Sequence, residues 1–185
     1  MERLKIAVCG GGVGGMAVAI ALQAQGHNVA VFEQSRAYGR VGADVNLTPN
    51  AVHALDRLGL GEALRANAAR PTHRISRMWD TAEETSRLPM SAAAEERYGA
   101  PQLTIHRADI LDALEAKLAS GSLHLDAKVT EAELTATGAA VLFADGSRQE
   151  FDLVIGADGI HSPVRRSIFG PDAPRFTGLD RKSVV

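Results

Sequence analysis

Three glycines near the start of the chain have the spacing of a phosphate-binding turn. Gly10, Gly12 and Gly15 form the pattern G-x-G-x-x-G directly after the apolar run of residues 4–9. The first glycine lets the chain leave a strand sharply, the second gives a pyrophosphate access to the backbone, and the third lets the next helix pack closely on the sheet. The pattern predicts dinucleotide binding; the alternative is a βαβ unit whose glycine-rich turn is only structural.

A carboxylate follows at the position that nucleotide binding requires. Residues 13–25 are rich in alanine and predicted to be helical, Gly26 suits the position after a helix C-terminus, and residues 29–32 are predicted to be a second buried strand. Glu33 ends that strand, near the spacing of about 20 residues from the glycines at which an acid binds a ribose hydroxyl. The glycines and Glu33 are therefore predicted to hold one dinucleotide.

The composition is that of an ordinary globular protein and disfavours several other classes of function. The 185 residues are 45% hydrophobic and carry a net charge of −2, so no basic field favours nucleic acid or an anionic membrane. Aromatic residues make up 4%, too few for a surface that stacks single-stranded bases. No apolar run approaches the roughly 20 residues of a membrane span. We expect no signal peptide and a cytoplasmic location.

Neither a metal site nor a catalytic pair is predicted. The six histidines lack ligand spacing, and the single cysteine, Cys9, excludes a disulfide within the chain. Because Cys9 lies in a predicted buried strand, we interpret it as a small core hydrophobe. No acid and base have a spacing that argues for catalysis, so the sequence leaves the catalytic residues unknown.

The middle of the chain is predicted to contain a helix and then a hairpin. Thr48 is predicted as the N-cap of the helix, before a proline at its first position. Residues 74–79 and 85–88 are predicted to pair as a hairpin. Met78 and Trp79 in this hairpin either line a pocket or, more commonly for such residues, pack against neighbouring side chains.

A strand that runs into a helix and a β-meander are predicted to follow. Residues 103–107 are predicted to run from a strand into a helix that Arg107 begins. A cation at a helix N-terminus opposes the dipole, so Arg107 either shares an anion with the free amides or is solvated. The meander is predicted from four strands, residues 123–129, 132–135, 139–143 and 150–155.

The segment from Asp152 to Gly159 has the same pattern as the start of the chain, an apolar strand that ends in glycine. An apolar run typical of a parallel strand ends in Gly156 and then in Asp158-Gly159. Ligands of open α/β sheets bind outside the carboxyl ends of the strands, and a carboxylate there can accept hydrogen bonds from sugar-like hydroxyls. Asp158 is therefore predicted to lie in the same crevice as the glycine turn, before a short helix that begins at Ser162-Pro163.

Several stretches together resemble the FAD-dependent aromatic hydroxylases, which are single-component flavoprotein monooxygenases. Residues 152–165 are similar to the family's long second fingerprint, and other stretches match most closely the branch of salicylate and hydroxynicotinate hydroxylases. The resemblance covers nearly all of residues 3–179. The matching stretches are residues 10–15 with Glu33, residues 104–111, 152–165, 41–51 and 58–60.

The resemblance implies FAD as the cofactor and assigns residues to it. Gly10, Gly12 and Gly15 are implied to cradle the pyrophosphate, and Val13 and Gly14 between them are also implied to bind the cofactor. Glu33 is implied to hold the adenosine ribose, and Val129 to offer its backbone near the adenine. Those implied at the ribityl and phosphate groups are Arg40, Arg107, Asp158 and Gly159. Asp44 is a departure, because relatives usually have a small residue there, near the flavin.

The resemblance also implies a reaction. Members of the family reduce the flavin with NADH or NADPH, and oxygen then forms a C4a-hydroperoxide that hydroxylates an activated aromatic ring. The flavin supplies the difficult chemistry, and the protein orients and shields it. The implied partners are a small phenolic or heteroaromatic acid and O₂, and the oligomeric state stays open. Two alternatives remain: an inactive, truncated flavin-binding fragment, and a plain NAD-dependent Rossmann oxidoreductase, against which residues 152–165 argue.

The expected fold class is α/β, with a Rossmann-like FAD-binding domain, a parallel sheet, a β-meander and a β-hairpin excursion. Family members are much longer than this chain, so we expect the substrate domain to be incomplete and the chain alone to lack turnover. The final six residues resemble a sequencing adapter read in frame. The expected parts are residues 1–70 and 99–170 as the FAD-binding domain, 71–98 as a hairpin of the substrate domain, 171–179 as the start of its missing part, and 180–185 as an artefactual tail.

Overall fold

The computed structural model describes residues 2–39, 44–171 and 173–178, and these form the α/β fold with a parallel sheet that the sequence predicts. The strands are β1 (Lys5–Cys9), β2 (Asn28–Phe32), β3 (Asp44–Leu47), β4 (His73–Arg77), β5 (Glu84–Pro89), β6 (Leu103–His106), β7 (Leu123–His124), β8 (Val129–Leu134), β9 (Ala139–Phe143), β10 (Arg148–Phe151) and β11 (Leu153–Gly156). The helices are α1 (Val13–Ala24), α2 (Pro49–Arg57), α3 (Gly61–Asn67), α4 (Ser91–Tyr98), α5 (Arg107–Lys117) and α6 (Pro163–Phe169).

The chain separates into two compact units. The first unit comprises residues 1–39 with 114–185, and the second comprises residues 40–113. The domain boundaries expected from the sequence stay a prediction. The expected tail, residues 180–185, lies outside the described residues.

Strand β1 is central to the parallel sheet of the first unit, whose order is β11-β1-β2-β7. It pairs in parallel with β2 along one edge and with β11 along the other. Its side chains Ile6, Ala7, Val8 and Cys9 are at most 1% exposed, which explains why the strand is a continuous apolar run rather than an alternating one. Parallel pairing brings the carboxyl ends of β1, β2 and β11 to one edge of the sheet.

Helix α1 packs on this sheet as the glycine pattern predicts. Its buried face consists of Gly15, Met16, Ala19 and Ile20, and Gly26 follows the helix with φ +89°. Like the other helices in the described ranges, α1 is not both long and apolar enough to traverse a bilayer.

The meander differs from its prediction at both ends. The strand predicted over residues 123–129 is wrong, because β7 stops at His124 and joins the parallel sheet beside β2. Asp126, with φ +54°, then turns the chain before β8. The strand predicted over residues 150–155 is also wrong as one element. Asp152 separates β10 of the antiparallel sheet from β11 of the parallel sheet, and its carboxylate accepts a hydrogen bond from Lys5 N at 2.6 Å.

Aromatic side chains join the meander to the parallel sheet. Phe32 meets Phe143 edge-on, with ring centroids 4.9 Å apart, and meets Phe151 in the same way at 5.8 Å. These rings pack with Ala7, Cys9, Val141 and Val164 in one buried cluster. The cluster packs at the carboxyl ends of β1 and β2, because Cys9 and Phe32 are the last residues of those strands.

The second unit contains two antiparallel pairs with helices beside them. Strands β3 and β6 pair from Asp44 opposite His106 to Leu47 opposite Leu103. Thr48 occupies the N-cap position of α2 as predicted, but its hydroxyl donates to Asn50 Oδ1 at 2.6 Å instead of capping a backbone amide.

The predicted hairpin is present as β4 and β5, and both of its strands are exposed along their whole length. Trp79, at the end of this hairpin, is 93% exposed, and Met78 is 44% exposed. The prediction that Met78 and Trp79 more commonly pack against neighbouring side chains is therefore wrong for the residues described. Helix α4, which follows the hairpin, was not predicted, because its sequence has no apolar stripe with helical spacing.

Two adjacent glycines in the first turn of α1 have opposite surroundings. A Cβ added at Gly15 would overlap the carbonyl oxygen of Gly10 and lie 3.1 Å from its carbon, whereas a Cβ at Gly14 would meet no atom within 4 Å. Gly15 therefore sets the distance between helix and strand, and Gly14 does not.

We expect Gly15→Ala to lower the free energy of unfolding by about 1–3 kcal/mol, because the added methyl forces the helix away from the turn. Gly14→Ala is the matched control and should raise that free energy by about 0.5–1 kcal/mol, since alanine is the better helix former. Urea unfolding followed by circular dichroism measures both. Equal destabilisation by the two variants would contradict the close packing at Gly15.

Candidate functional site

A cleft of about 630 Å³ lies at the edge of the parallel sheet where β1, β2 and β11 end. It lies within the first unit and contains both the glycine turn and the segment after β11. Its lining comprises Cys9, Gly10, Gly12, Phe32, Glu33, Gln34, Ala127, Lys128, Val129, Thr130, Ala157, Asp158, Gly159, His161, Pro163 and Arg166. The structure thus brings Gly10, Gly12, Glu33, Val129, Asp158 and Gly159, all singled out from the sequence, around one cavity.

Backbone contact joins the two glycine-containing segments. Gly10 has φ +109°, and a Cβ there would overlap the carbonyl oxygen of Ala157 and lie 2.6 Å from its carbon. Gly10 N donates to Phe32 O at 2.8 Å, and Ala157 N donates to Cys9 O at 2.7 Å. Only glycine suits this position, because both the positive φ and the contact exclude a side chain.

Gly12 has different surroundings, which fit a ligand rather than protein packing. It is the N-cap of α1 with φ −74° and ψ −179°, a conformation open to any residue, and a Cβ there would meet no atom within 4 Å. No side chain caps the helix start among the residues described. A helix N-terminus presents unpaired N–H groups and a partial positive charge, so this part of the cleft suits an anionic group such as a diphosphate.

Glu33 is held by backbone amides at the edge of the cleft. Its Oε2 accepts the N–H of Gly11 at 2.8 Å, and its Oε1 accepts the N–H of Ser35 at 2.9 Å. Partial burial raises the pKa of Glu33, but the hydrogen bonds from Ser35, Gly11 and Gln34 outweigh it and leave the pKa below its ordinary value. The side chain is therefore an ionised acceptor near neutral pH, and each oxygen has further capacity for a ribose hydroxyl.

Asp158 stabilises the start of helix α6 at the same cleft. Its Oδ1 accepts the hydroxyl of Ser162, and its Oδ2 accepts the N–H of Val164 at 3.1 Å, so the carboxylate caps the start of α6. Ser162 Oγ in turn accepts the N–H of Arg165 at 2.9 Å, which makes Ser162 the N-cap. These bonds hold the loop of residues 157–162 against the cleft.

Cys9 lines the cleft, but its thiol is unreactive. Its side chain is fully buried, as its interpretation as a core hydrophobe predicts. Burial, followed by the negative charge of Asp158, raises the pKa of the thiol to about 12. The thiolate, which is the nucleophilic form, is therefore nearly absent at neutral pH.

Five polar side chains of the cleft, including Gln34, were not assigned roles from the sequence. Lys128 and Thr130 flank Val129, and His161 and Arg166 follow β11. A signal was available for His161, because it lies inside the motif of residues 152–165. Lys128 and Thr130 gave no signal, since Lys128 was placed inside a predicted strand that the structure lacks there, and Thr130 was placed in the gap after that strand.

Of the remaining predicted residues, four are described, and none of the four is among the residues that line the cleft. Val13, Gly14 and Gly15 form the first turn of α1 and are not among the described residues that line the cleft. Arg107 begins α5 in the second unit. Arg40 lies outside the described residues.

No group of three or more His, Cys, Asp or Glu residues is arranged to hold a metal ion in the parts of the chain that the structure describes. The polar chemistry of the cleft comes instead from backbone amides, two carboxylates and a few cationic side chains. Such a set can bind hydroxyl and phosphate groups.

A family comparison and several similar proteins agree with this geometry. The sequence model described as "FAD binding domain" matches residues 3–177. The 6-hydroxynicotinate 3-monooxygenase of Bordetella bronchiseptica is 36% identical over 174 residues, which are 94% of this chain and 45% of that protein. A 3-amino-4-hydroxybenzoate 2-monooxygenase of Streptomyces platensis is 40% identical over 177 residues, 96% of this chain and 44% of that protein. A salicylate hydroxylase of Pseudomonas putida is 38% identical over 184 residues, 95% of this chain and 42% of that protein.

The solved structures include a similar fold with bound cofactor. Klebsiella pneumoniae HpxO complexed with FAD and uric acid superimposes with a TM-score of 0.81 at 29% identity, and the match covers 88% of this chain and 41% of that one. The chain therefore spans less than half the length of the relatives and the solved structure it matches.

We expect Glu33→Gln to lower the free energy of unfolding by about 1–2 kcal/mol at pH 7, because an amide offers one acceptor oxygen to two backbone donors. The folded pKa of Glu33 lies below the ordinary 4.5, so the carboxylate contributes stability above pH 4.5 and loses it as the pH falls through the folded pKa. The difference between wild type and variant should therefore shrink at acid pH.

Urea unfolding at a series of pH values from neutral to acid measures this difference. The matched control is Glu131→Gln, at an exposed position of β8, which should leave stability nearly unchanged throughout. A difference at Glu33 that is independent of pH would show that the carboxylate charge is not what the two amides require.

Proposed function

The chain belongs to the FAD-binding domain family, and from that premise we propose that the cleft of the first unit binds FAD. The resemblance stated from the sequence motifs is confirmed at the level of the family. The observation that carries the proposal is the open space at Gly12, beside an uncapped helix start and in the same cavity as Glu33. No protein atom would clash with a side chain at Gly12. A ligand group that approaches the backbone from the cleft explains why glycine stands there.

The proposed binding mode follows the cleft from Gly12 outwards. The pyrophosphate would lie at the N-terminus of α1, the adenosine ribose at Glu33, and the adenine near the backbone of Val129. Lys128 and Arg166 line the same cavity and favour an anionic ligand. Asp158 and Gly159 would contact the ribityl and pyrophosphate region, and the contacts proposed for Arg40 and Arg107 belong to the same hypothesis.

We further propose that this FAD site serves an aromatic-ring monooxygenase. The names of the relatives describe the hydroxylation of nicotinate, aminobenzoate and salicylate compounds, which are aromatic carboxylates. The proposed substrates are therefore a small phenolic or heteroaromatic acid, O₂, and NADH or NADPH. The bound flavin would supply the redox chemistry, while the residues of this chain bind it, orient it and exclude water from it. The cytoplasmic location expected from the sequence stays a prediction.

The chain of 185 residues is itself proposed to bind FAD without turnover. The sequence contains no acid and base whose spacing argues for catalysis, and the relatives' activities belong to proteins more than twice as long as the matched region. The NAD-dependent alternative is disfavoured, because the family that matches 3–177 is described by FAD.

The activity prediction concerns the FAD-loaded chain. With NADH and either salicylate or 6-hydroxynicotinate, we expect no oxidation of NADH that depends on the aromatic acid, beyond that caused by free FAD. The loss of NADH absorbance and chromatography of the products measure this. Formation of a hydroxylated product would contradict the proposal that this chain lacks turnover, while leaving FAD binding intact.

A serine at position 12 is expected to have opposite effects on the stability of the apoprotein and on its affinity for FAD. Gly12→Ser should raise the free energy of unfolding of the apoprotein by roughly a few tenths of a kcal/mol, because serine is a slightly better N-cap than glycine in an open position. The same side chain fills the space proposed for the pyrophosphate, so FAD affinity should fall by roughly tenfold or more.

Quenching of flavin fluorescence measures affinity, and urea unfolding measures stability. The wild-type chain should bind FAD and release it on denaturation, whereas NAD should not compete at equal concentration. A Gly12→Ser variant that binds FAD as tightly as the wild type would contradict the proposed site.

A further inference from the structure

Gly11 is held by a side chain at each of its two backbone polar groups. Its N–H donates to Glu33 Oε2 at 2.8 Å, and its carbonyl oxygen accepts the hydroxyl of Tyr38 at 2.6 Å. The two peptide planes that meet at Gly11 Cα are therefore both fixed. All three residues belong to the first unit, and Tyr38 is partly buried.

Packing around Gly11 is the reverse of packing around Gly12. A Cβ at Gly11 would overlap Tyr38 Oη and lie 2.8 Å from Glu33 Cβ, whereas the same atom at Gly12 would meet nothing within 4 Å. Gly11 stands at a variable position of the G-x-G-x-x-G pattern, so the pattern does not explain it. The side chains of Tyr38 and Glu33 do explain it, because they close against its Cα.

The orientation of Gly11 determines which amides face a ligand. In a planar trans peptide the C=O and N–H point in opposite directions, so the bond from Tyr38 to Gly11 O also directs the N–H of Gly12 away from the Tyr38 hydroxyl. The N–H of Gly11 is already used by Glu33. The amides that remain for an anion at the start of α1 therefore begin with Gly12.

We propose that Tyr38 is a positioning residue for the pyrophosphate site. It does not contact the cofactor; it holds the peptide between Gly11 and Gly12 in the orientation that presents the Gly12 amide. Fixing a donor before binding removes the cost of ordering it during binding, and this lowers the dissociation constant. The proposal rests on the proposed FAD site and adds to it a residue outside the glycine pattern.

The test compares ligands that do and do not carry the diphosphate. Tyr38→Phe keeps the ring and removes the hydroxyl, and we expect it to weaken FAD and ADP binding by roughly three- to tenfold. Adenosine, which has no phosphate, should bind the variant and the wild type equally. Tyr98→Phe is the matched control: Tyr98 is the other tyrosine of the chain, lies in the second unit, and should change no affinity.

Isothermal titration of the 185-residue chain gives all three affinities. If Tyr38→Phe binds FAD and ADP as the wild type does, or weakens adenosine to the same degree as ADP, the positioning role is overturned while the FAD site stands. If the wild-type chain binds neither FAD nor ADP, the proposed function fails, and this inference fails with it.

A second variant keeps the test decisive if Tyr38→Phe does not fold. Gly11→Ala introduces a methyl that displaces the Tyr38 hydroxyl and also crowds Glu33, so it should weaken ADP and FAD more than adenosine. A folded Gly11→Ala protein with wild-type affinity for ADP would overturn the proposal independently.

Discussion

The arrangement of the site depends on one close approach between backbones. Gly10, after β1, lies against the carbonyl of Ala157, after β11, with no room for a Cβ between them. Because β1 and β11 pair in parallel with Cys9 opposite Gly156, this approach is fixed by sheet register rather than by a flexible loop. It brings the glycine turn and Asp158 to one cavity. A shift of one residue would move the carboxylate to the other face and separate them.

The surrounding interactions keep this approach rigid. Phe32, at the end of β2, packs edge-on against both Phe143 and Phe151. Asp158 is held by the Ser162 hydroxyl and the Val164 amide, and Glu33 by two amides of its own. The two carboxylates of the cleft thus support the backbone that positions them, so they can be preorganised for a ligand before one binds.

Local signals predicted the parts of the structure that depend on local physics. The strand, glycine turn, helix and second strand follow from apolar runs and glycine spacing, and Glu33 follows from its distance along the chain. The division at Asp152 could not be predicted, because no glycine or proline separates the two strands, although they belong to different sheets. Tyr38 gave no signal either, since it bonds to a backbone carbonyl, a group that every residue has and that no residue type marks. Lys128 was missed because the turn at Asp126 has a positive φ without a glycine to mark it in the sequence.

The pairing of β1 with β11 has a consequence for the order of folding. Lys5 is bonded to Asp152, 147 residues later, so the cleft closes only when nearly all of the described chain is available. Contacts of such large sequence separation form late, since their loop-closure entropy must be overcome first. During synthesis the first βαβ elements would leave the ribosome with β1 lacking one neighbour, and capture of the nucleotide would have to wait for the last strand.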